Sequence, residues 1–293
     1  MMRTAIEHSV TDVAALLVAA GRRLRVGLSH EPDCTPELDA ELLLAHVLGV
    51  SRTRLRSHSE VVPDAPAAQR FVQLIERRAS GEPVAYLLGH RAFWTLELTV
   101  GPAVLVPRPE TELLVERALS LHPGSSCQAV DLGTGSGAIA LALARERPLW
   151  RITATDVSLE ALETARANAA ALGLDQVRFV HGSWFGGLRG RTFDLIVSNP
   201  PYVAEDDPAL GALSYEPRRA LTPGADAMAC LREIIRAAPD HLVRGGWLLL
   251  EHGATQASAV AGELAARGFV TVRPHRDLAG HERMTEGQWP KVP

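Results

Sequence analysis

The chain has 293 residues, 46% hydrophobic and 22% charged, with 30 basic and 34 acidic side chains and a formal charge of −4. That balance is typical of a soluble globular protein and argues against one whose main affinity comes from neutralising phosphates, local basic patches aside, so no direct nucleic-acid partner is expected. Cys34, Cys127 and Cys230 lie far apart without CxxC spacing, which argues against a metal site or a disulfide framework and for a reducing compartment. The longest early apolar run, VAALLVAA, is far shorter than the roughly 20 residues a bilayer span requires, and no charged-then-apolar leader pattern opens the chain. A soluble, cytoplasmic, monomeric protein is expected, with no membrane partner.

The first eighty residues read as helices. Val13, Leu16, Leu17, Ala20 and Leu24 recur at helical spacing within 11–25. In CTPELDAELLLAHVLG, Thr35 suits an N-cap, Pro36 the first helical position, Glu37 the first turn and Gly49 the C-terminal stop. A third helix over 66–80 aligns Phe71, Leu74, Ile75 and Arg78 and ends near Gly81. From Pro83 the texture changes. FWTLELTV alternates, with Trp94, Leu96, Leu98 and Val100 on one face, and is expected to form one half-buried strand of a hairpin. Three prolines then precede a helix beginning near Glu110. These features divide the chain into a helical domain over 1–82, a β-hairpin linker over 83–105 and a larger α/β domain over 106–293.

Within that last part, strand and helix patterns alternate. Strands are expected at QAVDLG, ITATD, VRFVHG, FDLIVSN, GWLLLEHG and FVTVRP, with helices over about 137–147, 158–172, 227–243 and 254–266. Such alternation implies a mostly parallel sheet covered by helices on both faces. Ser158 caps the second of these helices and Gly173 stops it.

AVDLGTGSGAIALALA places Gly133, Gly135 and Gly137 between a strand and a helix, with Asp131 on the strand before them and Asp156 at the end of the next strand. Glycines there let backbone approach a ligand, and a carboxylate at the Asp156 position can accept from both hydroxyls of a ribose. A turn that only packs strand on helix, with Asp156 capping the next helix, is the plain alternative. The two acidic residues favour a nucleoside ligand. The GxGxG spacing counts against a dinucleotide without excluding NAD by itself.

IVSNPPYVAED, residues 196–206, halts the fourth of these strands with two prolines between Asn199 and Tyr202. Ligands of an open parallel sheet bind outside the carboxyl ends of its strands, so Asn199 stands beside whatever the glycine loop holds. An Asn carbonyl and a carbonyl of the Pro-Pro segment can accept the two hydrogens of an NH₂ group, proline rigidity holds those acceptors still, and Tyr202 offers a flat face to a planar amide or base. A loop that merely ends a strand is the alternative, and it weakens once the glycine loop is considered beside it.

Taken together, EPVAYLLGHRAFW, VLVPRPETE, DLGTGSGAIALALA, ATDVSLEALETARANA, FDLIVSNPPY, YEPRRAL and LLLEHG resemble the protein-(glutamine-N5) methyltransferases that modify peptide chain release factors, over almost the whole chain. PRPETE together with NPPY is the discriminating pair. The resemblance implies a Rossmann-like, seven-stranded class I methyltransferase domain preceded by a small helical bundle that helps to dock a class 1 release factor. It implies S-adenosyl-L-methionine as methyl donor, with S-adenosyl-L-homocysteine as product, and the glutamine of a Gly-Gly-Gln loop as acceptor, in support of translation termination. By that likeness Gly133, Thr134, Gly135, Ser136 and Gly137 bind the methionine part of the donor, Asp156 its ribose and Trp184 its adenine. Asn199 serves donor and substrate, and Pro200, Pro201 and Tyr202 shape the glutamine site. Asn199, Pro200 and Tyr202 are the expected catalytic residues. Ser183 departs from the aspartate usual before that tryptophan, which implies weakened adenine recognition. Thr95 and Ala209 depart in peripheral segments.

The nearest competing reading keeps the chemistry and changes the substrate to the N6 of adenine or the N2 of guanine in nucleic acid, because a base amino group poses the same problem as an amide. The acidic balance and PRPETE count against it. In PRPETE, Arg108 and Thr111 read either as closing over the site or as a simple helix start, with Glu110 and Glu112 favourable against the helix dipole. Glu251 reads equally as facing the crevice or capping a helix, and His252 as a packed residue.

Overall fold

The computed structural model describes residues 12–29, 34–122, 124 and 126–291. The chain forms two compact units, one comprising 1–89 with 211–215, the other 90–210 with 216–293. In the first, helices Val13–Gly27, Pro36–Leu48 and Ala65–Ala79 bury Leu16, Leu24, Leu43, Leu44, Phe71 and Ile75, the apolar faces read from the sequence. Gly49 ends the second helix in the left-handed conformation (φ 64°), but Thr35 makes no capping hydrogen bond. Arg78, aligned with the apolar face, is buried because its Nε donates to Asp39 Oδ2 at 2.8 Å. Two short helices, Arg52–Ser57 and Val84–Leu88, escaped the sequence reading because neither is long enough to show a helical period. The second of them lies in the stretch read as linker, and the first unit runs to Gly89.

The hairpin belongs to the second unit. Its strands are β1 (His90–Phe93) and β2 (Leu96–Thr99), so FWTLELTV is not one strand: the chain turns at Trp94, whose φ of 56° no strand can hold. Glu112 explains the turn, its Oε1 accepting from the Trp94 backbone N–H at 2.8 Å, while the indole N–H reaches Glu146. Asn168 then fastens the end of β2, accepting from the Thr99 N–H and donating to both the Thr99 and the Ser136 carbonyl oxygens.

The seven-stranded sheet has the order β5-β4-β3-β6-β7-β9-β8, where β3 is Gln128–Leu132, β4 Arg151–Asp156, β5 Arg178–His181, β6 Phe193–Ser198, β7 Leu242–Glu251, β8 Val270–Arg276 and β9 Glu282–Gln288. The first five strands of that order run parallel, and β9 runs antiparallel between β7 and β8. Side chains alternate across the sheet. Ala129, Leu195, Val197 and Leu249 meet helices Glu112–Leu121 and Ala138–Glu146 on one face. Val130, Leu132, Ile196, Leu248 and Leu250 meet helices Ala229–Ala237 and Ala257–Arg267 on the other. The helix expected over 227–243 is shorter: Pro239 tightens its end into a 3₁₀ turn, and β7 already begins at Leu242. β9 was not read as a strand because ERMTEGQ is polar. Its buried Glu286 is satisfied by Arg117, whose Nη2 donates to Oε1 at 2.9 Å, and by His275 at 3.2 Å.

Candidate active site

Strand register brings the site together. Leu132 pairs with Thr155 on one side and Ser198 on the other, and Ser198 pairs with Leu250. The next residues, Gly133, Asp156, Asn199 and Glu251, therefore lie at one level at the carboxyl edge of the sheet. His181 pairs with Asp156, so Ser183 and Trp184 follow at the neighbouring edge. Strand order reverses between β3 and β6, which is where an open α/β sheet parts its loops into a ligand crevice.

A cavity of about 350 Å³ opens there, bordered by Gly133, Gly135, Asp156, Trp184, Asn199 and Pro201 among others, a size suited to a small-molecule site. The remaining residues singled out in the sequence stand behind this lining. Thr134 and Ser136 are buried, and Gly137 is the helix cap, held at φ 87° where an added Cβ would meet Leu141 Cδ1 at 2.9 Å. Pro200 and Tyr202 flank the cavity without lining it.

The glycine loop is held mainly by backbone. The N–H groups of Gly133 and Thr134 both donate to the Thr155 carbonyl oxygen at 2.9 Å, and the Gly135 N–H donates to Asp156 Oδ2 at 2.9 Å. Asp156 Oδ1 accepts from the Ser158 N–H, so the carboxylate is oriented before any ligand arrives. Asp131 lies beneath the loop, fully buried, accepting from the Thr134 hydroxyl at 2.6 Å and the Ala140 N–H at 3.3 Å. Burial pushes its carboxyl up to about 7, the two donors opposing the rise and Asp156 adding to it.

The Asn-Pro-Pro-Tyr segment is held by side chains. Asn199 Nδ2 donates to Thr111 Oγ1 at 3.1 Å, which leaves Oδ1 as the free acceptor of the amide. The Tyr202 hydroxyl donates to Glu251 Oε1 at 3.0 Å, and Gln256 Nε2 donates to the Tyr202 carbonyl oxygen at 3.1 Å. Arg108 of PRPETE pairs with the buried Glu216 of YEPRRAL, whose other oxygen accepts from the Val106 N–H at 2.9 Å. Glu251 is 2% exposed, and burial lifts its carboxyl to about 7. His252 is fully buried, with Nδ1–H donating to the Gly253 carbonyl and Nε2 accepting from Thr285, a packed histidine. The sequence left Thr111 and Glu251 open between facing the site and starting or capping a helix, carried Glu216 only as part of a resemblance and did not single out Gln256; each is paired across 49 residues or more, beyond the reach of local pattern.

This sheet, with its glycine loop after the first parallel strand and an acidic residue after the second, is the class I methyltransferase fold. A solved methyltransferase from Pyrococcus furiosus shares it, with a TM-score of 0.52 at 22% identity over 76% of this chain and 99% of that one. Two family models match, the PrmC N-terminal domain over residues 28–89 and the Methyltransferase small domain over 109–224. Release factor glutamine methyltransferases are similar over nearly the full length: that of Pseudomonas aeruginosa is 50% identical over 89% of this chain and 96% of its own, and that of Vibrio cholerae 44% over 96% and 98%. The chain belongs to the release factor glutamine methyltransferase family. Among the described residues no helix is long and apolar enough to cross a membrane.

Proposed function

We propose that this chain transfers a methyl group from S-adenosylmethionine to the side-chain amide nitrogen of the glutamine in the Gly-Gly-Gln loop of class 1 release factors, one copy acting on one factor in the cytoplasm. The observation that carries the reading is the Asn199 amide: it gives its N–H to Thr111 and keeps its carbonyl oxygen for the crevice, at the same sheet edge as Asp156 and the glycine loop. The cavity suits the donor. Gly135 borders it at φ 56°, and a Cβ built there meets no protein atom within 4 Å, so any side chain would occupy ligand space. Asp156 offers oriented acceptors for ribose hydroxyls, and Trp184 an apolar surface for adenine.

When bound, S-adenosylmethionine supplies a methyl group made electrophilic by a sulfonium leaving group. The protein's own task is alignment and charge. An amide nitrogen is a poor nucleophile because its lone pair is delocalised into its carbonyl. Acceptors on both N–H bonds favour a pyramidal nitrogen and stabilise the positive charge that develops on it. Asn199 Oδ1 and the Pro200 carbonyl serve as those acceptors. A proline has no N–H with which to compete, and its fixed φ keeps the carbonyl in place. Tyr202 has its hydroxyl committed to Glu251, so it contributes its ring plane rather than a proton. No strong base is required before transfer, since the nitrogen proton becomes acidic only once the nitrogen is alkylated. The helical unit supplies a second docking surface for the release factor. Labelled methyl transfer to purified release factor tests this reading, with its Gln→Ala loop variant and bulk RNA and DNA as comparisons. Label on the intact factor alone is expected; label on nucleic acid alone overturns the substrate.

A further inference from the structure

Two short segments roof the donor cavity. Residues 100–108 run from the end of β2 to a 3₁₀ turn over Pro109–Thr111 and belong to no helix or strand. Residues 216–224 hold only the single helical turn Arg218–Leu221. Ala103, Val104 and Leu105 of the first segment and Pro217, Ala220 and Thr222 of the second border the cavity. A second cavity, of about 630 Å³, is bordered by Ala103, Pro217 and Thr222 as well. The same residues thus face two spaces, which makes the segments a partition between them rather than part of the packed core.

Each segment is pinned to the body of the fold. Asn168 holds Thr99, just before the first segment, and Thr111, just after it, accepts from Asn199. In the second segment the Leu221 carbonyl accepts from the Val203 N–H at 3.0 Å, and the Gly224 carbonyl from the Glu205 N–H at 3.2 Å. Glu216 ties one segment to the other. Its Oε2 accepts from the Val106 N–H at 2.9 Å and its Oε1 from Arg108 Nη2. The Glu216 side chain is 1% exposed and that of Arg108 33%, so the carboxylate is enclosed while its cation reaches solvent. A carboxylate is buried to that degree only when it is paired.

We propose that Glu216 is the latch of a lid over the donor cavity, and that its clasp on Val106 and Arg108 sets how fast S-adenosylmethionine enters and S-adenosylhomocysteine leaves. The inference rests on the donor reading above. Val106, Arg108 and Glu216 stand outside the cavity lining. The clasp therefore favours the closed lid to the same degree with and without donor, and leaves the equilibrium affinity alone. Opening the lid breaks two enclosed hydrogen bonds to one carboxylate, which slows exchange in both directions.

The test is the association and dissociation rate of labelled S-adenosylmethionine with the full chain, by rapid filtration and chase with unlabelled donor, in wild type, Arg108→Ala, Glu216→Gln and the double variant. Arg108→Ala removes the charged donor, and Glu216→Gln leaves one oxygen where two donors converge. Each single variant is expected to raise both rates by about tenfold, the scale of one lost hydrogen bond to a charged group, with Kd within about threefold of wild type. The double variant is expected within about threefold of the faster single one, because both residues act through one clasp. Unchanged rates overturn the latch. So does a faster dissociation with an unchanged association rate, the result of a merely loosened site. Arg108→Ala, at a partly exposed position, carries the test by itself if the buried Glu216→Gln variant does not fold. Donor binding with exchange rates that the variants leave unchanged is a failure of this inference alone, whereas no binding of S-adenosylmethionine by wild type is a failure of the reading beneath it.

Discussion

The two halves of the crevice are built by different means. On the glycine-loop side, backbone N–H groups bond to a strand carbonyl and to Asp156, so the ligand surface is largely main chain. On the Asn-Pro-Pro-Tyr side, Thr111 accepts from the Asn199 amide, Glu251 accepts from the Tyr202 hydroxyl and Gln256 donates to the Tyr202 carbonyl, so side chains from elsewhere in the chain fix that segment. Main chain can present donors and close approach to any sequence that folds there, which suits a donor molecule that is always the same. A side-chain partner can fix which end of an amide faces the crevice, which suits a step whose demand is the direction of an amide dipole. The contrast predicts that damage on the first side weakens binding, and damage on the second slows transfer.

The largest expected effect is on the second side. Asn199→Ala removes the acceptor and is expected to lower kcat by about 10²–10³-fold, with donor affinity by calorimetry within about tenfold. Asp156→Ala should show the opposite pattern, a donor Kd weaker by about 100-fold from two lost charge-assisted bonds, and kcat at saturating donor within a few-fold of wild type. If the two variants gave the same pattern, the division of labour between the halves would be wrong.

How much of this was legible in the sequence follows the same division. Gly133, Gly135, Asp156 and the Asn199–Tyr202 segment could be read because each is a local pattern at the end of a strand, and topology alone brings strand ends together. Thr111 and Glu251 stayed open between facing the site and starting or capping a helix, because the partners that decide it, Asn199 and Tyr202, lie 88 and 49 residues away. The turn at Trp94 was hidden by alternation that continues across it, and depends on Glu112 eighteen positions later. β9 was hidden because both its faces are buried and carry Thr285 and Glu286, polar residues that a local reading assigns to solvent. Helical-unit cores and parallel strands were legible because burial there is mainly apolar.

Two smaller effects bound the comparison. Glu286→Gln lies outside the crevice and should leave donor affinity and kcat unchanged while lowering stability by about 2 kcal/mol, part of the cost of breaking a buried pair. Burial would raise that carboxyl, but His275 and Arg117 hold it down at about 2. A depressed carboxyl contributes stability that is complete above its ordinary value near 4.5 and is lost as pH falls toward 2, so urea unfolding at pH 7 and pH 3 should show the gap between wild type and Glu286→Gln narrowing at acid pH. Ser183 borders the cavity beside Trp184. Ser183→Asp adds a charged acceptor there and should tighten donor binding by about threefold, the low end of one additional hydrogen bond, with kcat unchanged. A change in kcat would mean that the adenine end reaches into the transfer step.

The central claim is that the accepting atom is a glutamine side-chain nitrogen held by Asn199. The most direct measurement is a single turnover of the full chain with labelled donor and intact release factor, followed by fragmentation mass spectrometry to locate the methyl group, in wild type and Asn199→Ala side by side. The account predicts methyl on the side-chain nitrogen of the Gly-Gly-Gln glutamine with wild type and almost none with Asn199→Ala under the same donor occupancy. Methyl on another residue, or equal transfer by both proteins, would contradict it.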